Sequence, residues 1–96
     1  MFELTGFQRD LLYITAGLNK PSGQQIKSEL QEAIGPITHG RLYPNLDTLV
    51  TEGYLNKGEL NRRTNFYELT DSGWEAIQQR RRWETKYVDL TVDPRE

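Results

Sequence analysis

Apolar residues recur at helical spacing along the first half of the chain and predict three helices. The first apolar stripe, within residues 5–17, consists of Phe7, Leu11, Leu12 and Ile14. The second consists of Ile26, Leu30 and Ile34, and the third of Leu42, Leu46, Leu49 and Val50. Because residues three or four apart share one face of a helix, each stripe predicts a helix with one buried side. Three short helices joined by brief turns are typical of a helix-turn-helix core.

The predicted helices begin and end at recognisable signals. Residues 5–8 and 22–25 each match a capping box, in which a hydroxyl and a glutamine side chain accept hydrogen bonds from two otherwise free backbone amides. Thr38 has the same capping role for the third helix, which we expect to end at Gly53. Pro44 lies inside that helix and should kink or loosen its first turns, because proline has no backbone N–H to donate.

Beyond residue 53 the pattern changes to two short strands. Residues 54–60 and 65–69 are strand-like, and the turn that separates them carries the consecutive residues Arg62 and Arg63. In the second strand Tyr67 and its alternate neighbours can place one face against the helices. A helix with a polar tip followed by a basic hairpin is the order found in a winged helix.

The whole pattern predicts a mostly helical α+β fold: a winged helix-turn-helix with three N-terminal helices, a two-stranded wing and a C-terminal dimerisation helix. Thr70 caps this last helix, which we expect over residues 71–87. Residues 1–70 would form the DNA-binding winged helix-turn-helix domain, residues 71–88 the dimerisation helix, and residues 89–96 a loosely docked tail.

Composition limits the kinds of function that fit. A chain of 96 residues has room for one modest core, and it holds no apolar run of the roughly 18 to 20 residues that a membrane helix needs. The first ten residues lack the basic start and apolar segment of a signal peptide, so we expect a cytosolic protein. With no cysteine and one histidine, and without a Gly-rich phosphate loop or a G-x-S-x-G motif, we expect no metal site, no cofactor and no enzymatic activity.

The charge balance is unusual for a protein that binds DNA. The net charge is −2 and the sequence pI is about 5.4, whereas DNA-binding domains are usually basic. The basic groups are nevertheless clustered, since residues 38–67 contain four basic and three acidic side chains. The chain has few lysines, a composition common among proteins of high-salt cytoplasm.

The tip of the third helix carries the residues best suited to DNA. Arg41 could bind guanine in a bidentate fork, and Asn45 could pair with adenine. Tyr43 and Thr38 suit phosphate oxygens, which helix N-termini also attract. The predicted DNA-binding set comprises Ser22, Gln24, Thr38, His39, Gly40, Arg41, Tyr43, Asn45, Arg62, Arg63 and Thr64. The alternative is an ordinary solvated helix face and an ordinary soluble turn. Beside a recognition helix, a basic turn would reach the minor groove or the backbone.

The last helix is too apolar for a lone surface helix. Its two tryptophans exceed what a single small domain can easily bury, and pairing with a second copy is the commonest way to cover such a stripe. The three consecutive arginines at residues 80–82 point in different directions around a helix, and the simpler interpretation is that most are solvated. The predicted dimer interface comprises Phe2, Trp74, Ile77, Arg81, Trp83 and Tyr87.

Two segments resemble a known family. The run HGRLYPNLDTLVTEGYL and the later run RRTNFYELTDSG are similar to the PadR-type winged-helix transcriptional regulators. The matching features are Gly40, the step Leu42-Tyr43-Pro44, the basic turn, and Leu69-Thr70 followed by Gly73. The resemblance spans about residues 4–87, and with the opening LTGFQRDLLY it lies nearest the small haloarchaeal members, some described as phage-repressor-like. It implies a homodimeric DNA-binding repressor and a tolerated proline in the third helix.

Together these observations predict a sequence-specific transcriptional regulator that binds double-stranded DNA. We expect a repressor acting as a homodimer on a pseudo-palindromic operator, with no membrane partner. The alternative is a winged helix used as a protein–protein interaction module in a larger assembly. The basic turn favours the regulator, and the acidic pI favours the interaction module.

Overall fold

The computed structural model describes residues 2–89, 91 and 95, and it confirms the predicted fold class. Four helices and one two-stranded antiparallel sheet follow one another along the chain. The elements are α1 (Gly6–Gly17), α2 (Gly23–Ile34), α3 (His39–Thr51), β1 (Leu55–Asn61), β2 (Thr64–Leu69) and α4 (Asp71–Thr85). The last helix therefore ends two residues earlier than expected, and most of the predicted tail lies outside the described residues.

Local hydrogen bonds explain why the helices begin where they do. Both predicted capping boxes form, at Thr5 with Gln8 and at Ser22 with Gln25. In the first box each hydrogen bond measures 3.1 Å, and Gln8 both donates through its backbone and accepts through its side chain. Thr38 caps α3 through a hydrogen bond from the backbone N–H of Arg41. Such caps satisfy amides that have no partner within the helix.

The core lies between the three N-terminal helices and is closed by the hairpin and α4. The residues buried in it come from every helix and both strands, and include Leu11, Leu12, Ile26, Leu42, Leu46, Leu49, Leu55, Tyr67, Ala76 and Ile77. Ile34 is a correction to the predicted stripe of α2, since 46% of its side chain is exposed. It is the last residue of α2, and the chain turns away at Gly35, where φ is +88°.

Two residues with a poor helical propensity are accommodated in different ways. α3 remains one continuous helix through Pro44. Proline has no N–H to donate to the carbonyl of Gly40, four residues earlier, and both residues are exposed. Gly73 lies buried in the first turn of α4, where a Cβ atom would come within 2.4 Å of the Tyr54 carbonyl oxygen. The glycine that weakens this helix is thus what allows it to pack closely on the start of β1.

The described residues contain no helix long and apolar enough to cross a membrane. The same part of the chain holds no group of three or more His, Cys, Asp or Glu side chains placed to bind a metal ion.

Candidate nucleic-acid interface

α3 presents one face to the core and the other to solvent. Its three leucines are fully buried, whereas the residues on the opposite face are exposed: His39, Gly40, Arg41, Pro44, Asp47 and Thr48. This is the arrangement that a helix needs in order to enter the major groove while remaining anchored to the domain. The exposed face includes Pro44 and Thr48, which were not among the predicted DNA-binding residues.

Arg41 is exposed but does not extend freely into solvent. Its guanidinium carbon lies 4.0 Å from the centroid of the Phe7 ring, a cation–π contact between α3 and α1. Phe7 is itself a buried core residue. The predicted guanine-binding side chain is therefore held at a defined place beside the first turn of α1.

Asn45 is half-buried and already hydrogen-bonded. Its Oδ1 accepts a hydrogen bond of 3.0 Å from Gln8 Nε2, and its Nδ2 donates one of 2.7 Å to the Arg41 carbonyl. Sequence reasoning assigned Gln8 to a helix cap and did not foresee this second contact. Only the tertiary placement of α1 against α3 brings the two amides together.

Tyr43 connects the tip of α3 to the start of α2. Its ring stacks in parallel on His39, with 5.6 Å between centroids, and its other side lies against Gly23. A Cβ atom at Gly23 would come within 2.7 Å of the Tyr43 ring, so this glycine permits the approach. The contact brings the chain neighbours of Gly23, the predicted DNA-binding residues Ser22 and Gln24, near the tip of α3.

The wing is the hairpin of β1 and β2, and its tip is basic and exposed. The strands pair antiparallel, and the register shifts between Glu59 and Asn61 just before the turn. Arg62 and Arg63 are both exposed there, and the Asn61 side chain accepts a hydrogen bond of 2.9 Å from the Arg63 N–H. Thr64, the first residue of β2, is half-buried.

The base of the wing is attached to the segment before α2. The Tyr67 N–H donates to the Pro21 carbonyl at 2.9 Å, and Ser22 forms an isolated antiparallel bridge with Phe66. Lys20, with its ammonium group 5.4 Å from the Phe66 ring centroid, adds a positive charge that the sequence prediction missed. The amino end of α2, the wing and the tip of α3 therefore lie together.

Three of the predicted dimer residues, together with Arg80, form a second exposed surface at the carboxyl end of α4. We call Phe2, Arg80, Trp83 and Tyr87 the aromatic end. The Phe2 and Trp83 rings meet edge to face with 5.2 Å between centroids, and Trp83 and Tyr87 are 5.3 Å apart. The guanidinium of Arg80 lies over both the Phe2 and the Trp83 rings.

Two of the other predicted interface residues, Trp74 and Ile77, do not join the aromatic end. Trp74 precedes Trp83 by nine positions, which at 3.6 residues per turn is two and a half turns, so the two rings lie on opposite sides of α4. Arg81 borders the same groove between α1 and the end of α4 as Trp83 and Tyr87. Ile77 packs in the core of its own chain with 7% of its side chain exposed.

A hydrogen bond from the Tyr54 hydroxyl to the Glu3 carboxylate ties the segment that carries Phe2 to the domain. This bond is the main reason that the pKa of Glu3 falls from 4.5 to about 2, and the same bond is the largest cause that raises the pKa of Tyr54 to about 12. Burial raises the pKa of Tyr67 in the wing to about 12 as well, so its hydroxyl stays neutral.

Comparisons with known proteins agree with this architecture. The family model described as the transcriptional regulator PadR-like family matches residues 11–79. RosR of H. salinarum, in a structure grown from NaBr, is 41% identical, with a TM-score of 0.84 over 93% of this chain and 83% of that one. The complex structure of hsRosR-S1 is 43% identical, with a TM-score of 0.84 over 88% of this chain and 76% of that one.

A more distant structure shares the fold. FabT of Streptococcus pneumoniae in complex with DNA has a TM-score of 0.75 at 19% identity, over 96% of this chain and 62% of FabT. Among curated proteins, none matches the chain.

Proposed function

This chain belongs to the PadR-like family of transcriptional regulators, and from that premise we propose that it binds a pseudo-palindromic operator as a homodimer and represses transcription. The observation that carries the proposal is that the amino end of α2 contacts both the tip of α3, where Gly23 meets Tyr43, and the base of the wing, where Ser22 pairs with Phe66. A transcriptional regulator needs such a surface, and this one combines elements suited to both bases and phosphates.

In this proposal α3 enters the major groove. Arg41 would bind guanine and Asn45 adenine, while His39, Tyr43 and Thr38 line the edge of the contact with Gly40 allowing close approach. Ser22 and Gln24 would contact phosphate at the amino end of α2. Arg62, Arg63 and Thr64 of the wing would hold the backbone or the adjacent minor groove.

The aromatic end supports pairing with a second copy. Phe2, Trp83 and Tyr87 are 53%, 40% and 72% exposed, although each aromatic side chain can bury roughly 150 to 250 Å² when enclosed. Two copies joined there would place two α3 tips against two half-sites about one helical turn apart, roughly 34 Å. Trp74, on the other side of α4, would lie outside this contact.

Two further parts of the proposal are repression, as opposed to activation, and a haloarchaeal host. An occupied promoter excludes polymerase, so DNA binding alone is enough for repression in the cytosol. An acidic composition with few lysines, together with the 41% identity to RosR of H. salinarum, supports a haloarchaeal host.

An interaction module within a larger assembly is the second candidate. The net charge of −2 favours it, because the DNA phosphates would repel the protein as a whole. In that case the aromatic end would bind another protein and the wing would have no ligand. A measurement of binding to duplex DNA distinguishes the regulator from the interaction module.

A selection from a random-sequence duplex library tests the proposal, followed by gel shifts with the enriched sequence. Arg41→Ala should weaken binding to that sequence by about 1 to 3 kcal/mol, the usual value of a bidentate base contact. Replacing both Arg62 and Arg63 by alanine should weaken binding to every sequence alike and flatten its salt dependence. Failure to enrich any sequence, at low and at molar salt, would reject this function in favour of the interaction module.

A further inference from the structure

We propose that Gln8 is a positioning residue for sequence recognition: it fixes which end of the Asn45 amide is the donor and which is the acceptor. The inference rests on the proposed function, since it concerns how the α3 tip recognises a base. It assigns to α1, which lies outside the helix-turn-helix contact, a part in specificity.

The proposal begins with a relay of three hydrogen bonds that joins two backbone groups. The Thr5 N–H donates to Gln8 Oε1 at 3.1 Å, and Gln8 Nε2 donates to Asn45 Oδ1 at 3.0 Å. Asn45 Nδ2 then donates to the Arg41 carbonyl at 2.7 Å. The first group in the relay is a backbone donor and the last is a backbone acceptor.

These fixed ends determine the orientation of both side-chain amides. An N–H can only donate and a carbonyl oxygen can only accept, so turning over the Gln8 amide alone would oppose donor to donor at Thr5 and acceptor to acceptor at Asn45. If the Gln8 and Asn45 amides were both turned over, the two donors would still meet at Thr5. The two acceptors would then meet at the Arg41 carbonyl instead of between the side chains. Either change breaks two of the three hydrogen bonds, of which the one between Gln8 and Asn45 is half-buried and the two to the backbone are exposed.

The relay leaves Asn45 with one acceptor position on Oδ1 and one N–H on Nδ2. An amide with one of each matches the major-groove edge of adenine, which offers an N6 donor and an N7 acceptor. A freely rotating asparagine would present both orientations. The capping box of α1 therefore acts beyond its own helix, by presenting Asn45 to DNA in one orientation.

The substitution Gln8→Glu tests the hydrogen bond to Asn45 separately from the capping of α1. The carboxylate still accepts from the Thr5 N–H and suits the first turn of a helix, so the fold should be kept. The donor to Asn45 is lost, because a carboxylate only accepts. Gln25→Glu is the matched control, since Gln25 occupies the same position in the capping box of α2 and has no hydrogen bond to α3 among the described residues.

The wild type, Asn45→Ala, Gln8→Glu and Gln25→Glu are each used to select from the same random-sequence duplex library. Asn45→Ala identifies the base position that Asn45 recognises. We expect Gln8→Glu to lose about tenfold of the preference at that position and to keep the preferences elsewhere, a loss within the usual range for a base contact. Gln25→Glu should keep the preference at that position, whatever its added charge does to overall affinity.

Two results would overturn the inference while leaving the proposed function intact: a wild-type preference retained by Gln8→Glu, or a motif that Asn45→Ala leaves unchanged at every position. A wild type that enriches no motif would reject the proposed function and the inference together. Thermal unfolding of each variant confirms that the comparison is made between folded proteins.

Discussion

The two halves of α4 carry one apolar stripe but have different surroundings. In the first half Gly73, Ala76 and Ile77 are buried against the domain. Trp83 in the second half, and Tyr87 just beyond the end of α4, continue approximately the same side and are exposed. An apolar stripe thus indicates which side of a helix should be buried. It does not indicate whether the same chain or a second copy buries it.

Removal of the second half should have the largest effect on function. A chain that ends after Arg80 keeps the buried half and loses Trp83 and Tyr87, so it should remain folded as a monomer. Binding to a two-half-site operator should weaken by roughly 10² to 10⁴-fold, because the second half-site then has to be bound independently. Sedimentation and gel shifts on one sample would measure both effects. A truncated chain that still sediments as a dimer would remove the aromatic end from the interface.

A change in the buried half should instead destabilise the single chain. Ile77→Ala removes core methyl groups and should lower the free energy of unfolding by about 2 to 4 kcal/mol, the range observed when large core residues are shortened. Chemical denaturation followed by circular dichroism would measure it, at a protein concentration low enough to keep the chain monomeric. A loss below about 0.5 kcal/mol would mean that α4 is not needed to close the core.

A single substitution in the exposed half should affect association alone. Trp83→Ala should leave monomer stability nearly unchanged and weaken dimerisation by about 10- to 100-fold, as expected for an aromatic anchor of an interface. Trp74→Ala is the control, because it removes a similarly exposed tryptophan from the other side of α4. If the two substitutions changed the dissociation constant of the dimer equally, Trp83 could not be assigned to the contact and Trp74 excluded from it.

The smallest effect concerns the segment that carries Phe2 to the aromatic end. Because folding lowers the pKa of Glu3 from 4.5 to about 2, its contribution to stability is complete above pH 4.5 and is lost as the pH falls towards 2. Tyr54→Phe should raise the pKa of Glu3 and reduce this acid-dependent loss. The change should stay below about 1 kcal/mol, because the pair is exposed and screened by solvent. An NMR titration of the Glu3 carboxyl would measure the shift.

Local chemistry explains what the sequence predicted well. The capping boxes at residues 5–8 and 22–25 depend on four consecutive residues each, and both were confirmed. The placement of the leucines of α3 followed equally from spacing. The predicted burial of Ile34 was wrong because it depends on where the chain turns after α2. The opposite positions of Trp74 and Trp83 could have been found by counting helical turns.

The features that could not be predicted depend on how distant parts of the chain meet. Nothing near Gln8 in the sequence indicates that its amide reaches Asn45, 37 positions later. The contact of Arg41 with the Phe7 ring is of the same kind. Both contacts involve residues that we predict to recognise bases. Those residues could be proposed from the sequence, whereas the side chains that contact them, Gln8 and Phe7, could not.

The contact between Phe2 and Trp83 also has a consequence for the timing of synthesis. A ribosome adds roughly 5 to 20 residues per second, so Trp83 follows Phe2 after roughly 4 to 16 s. Throughout that interval the nascent chain exposes Phe2 without its partner ring. It follows that the aromatic end can form only after Trp83 has been added to the chain. A nascent chain that has not reached Trp83 lacks the surface proposed for pairing, so pairing through it would have to follow the synthesis of that residue.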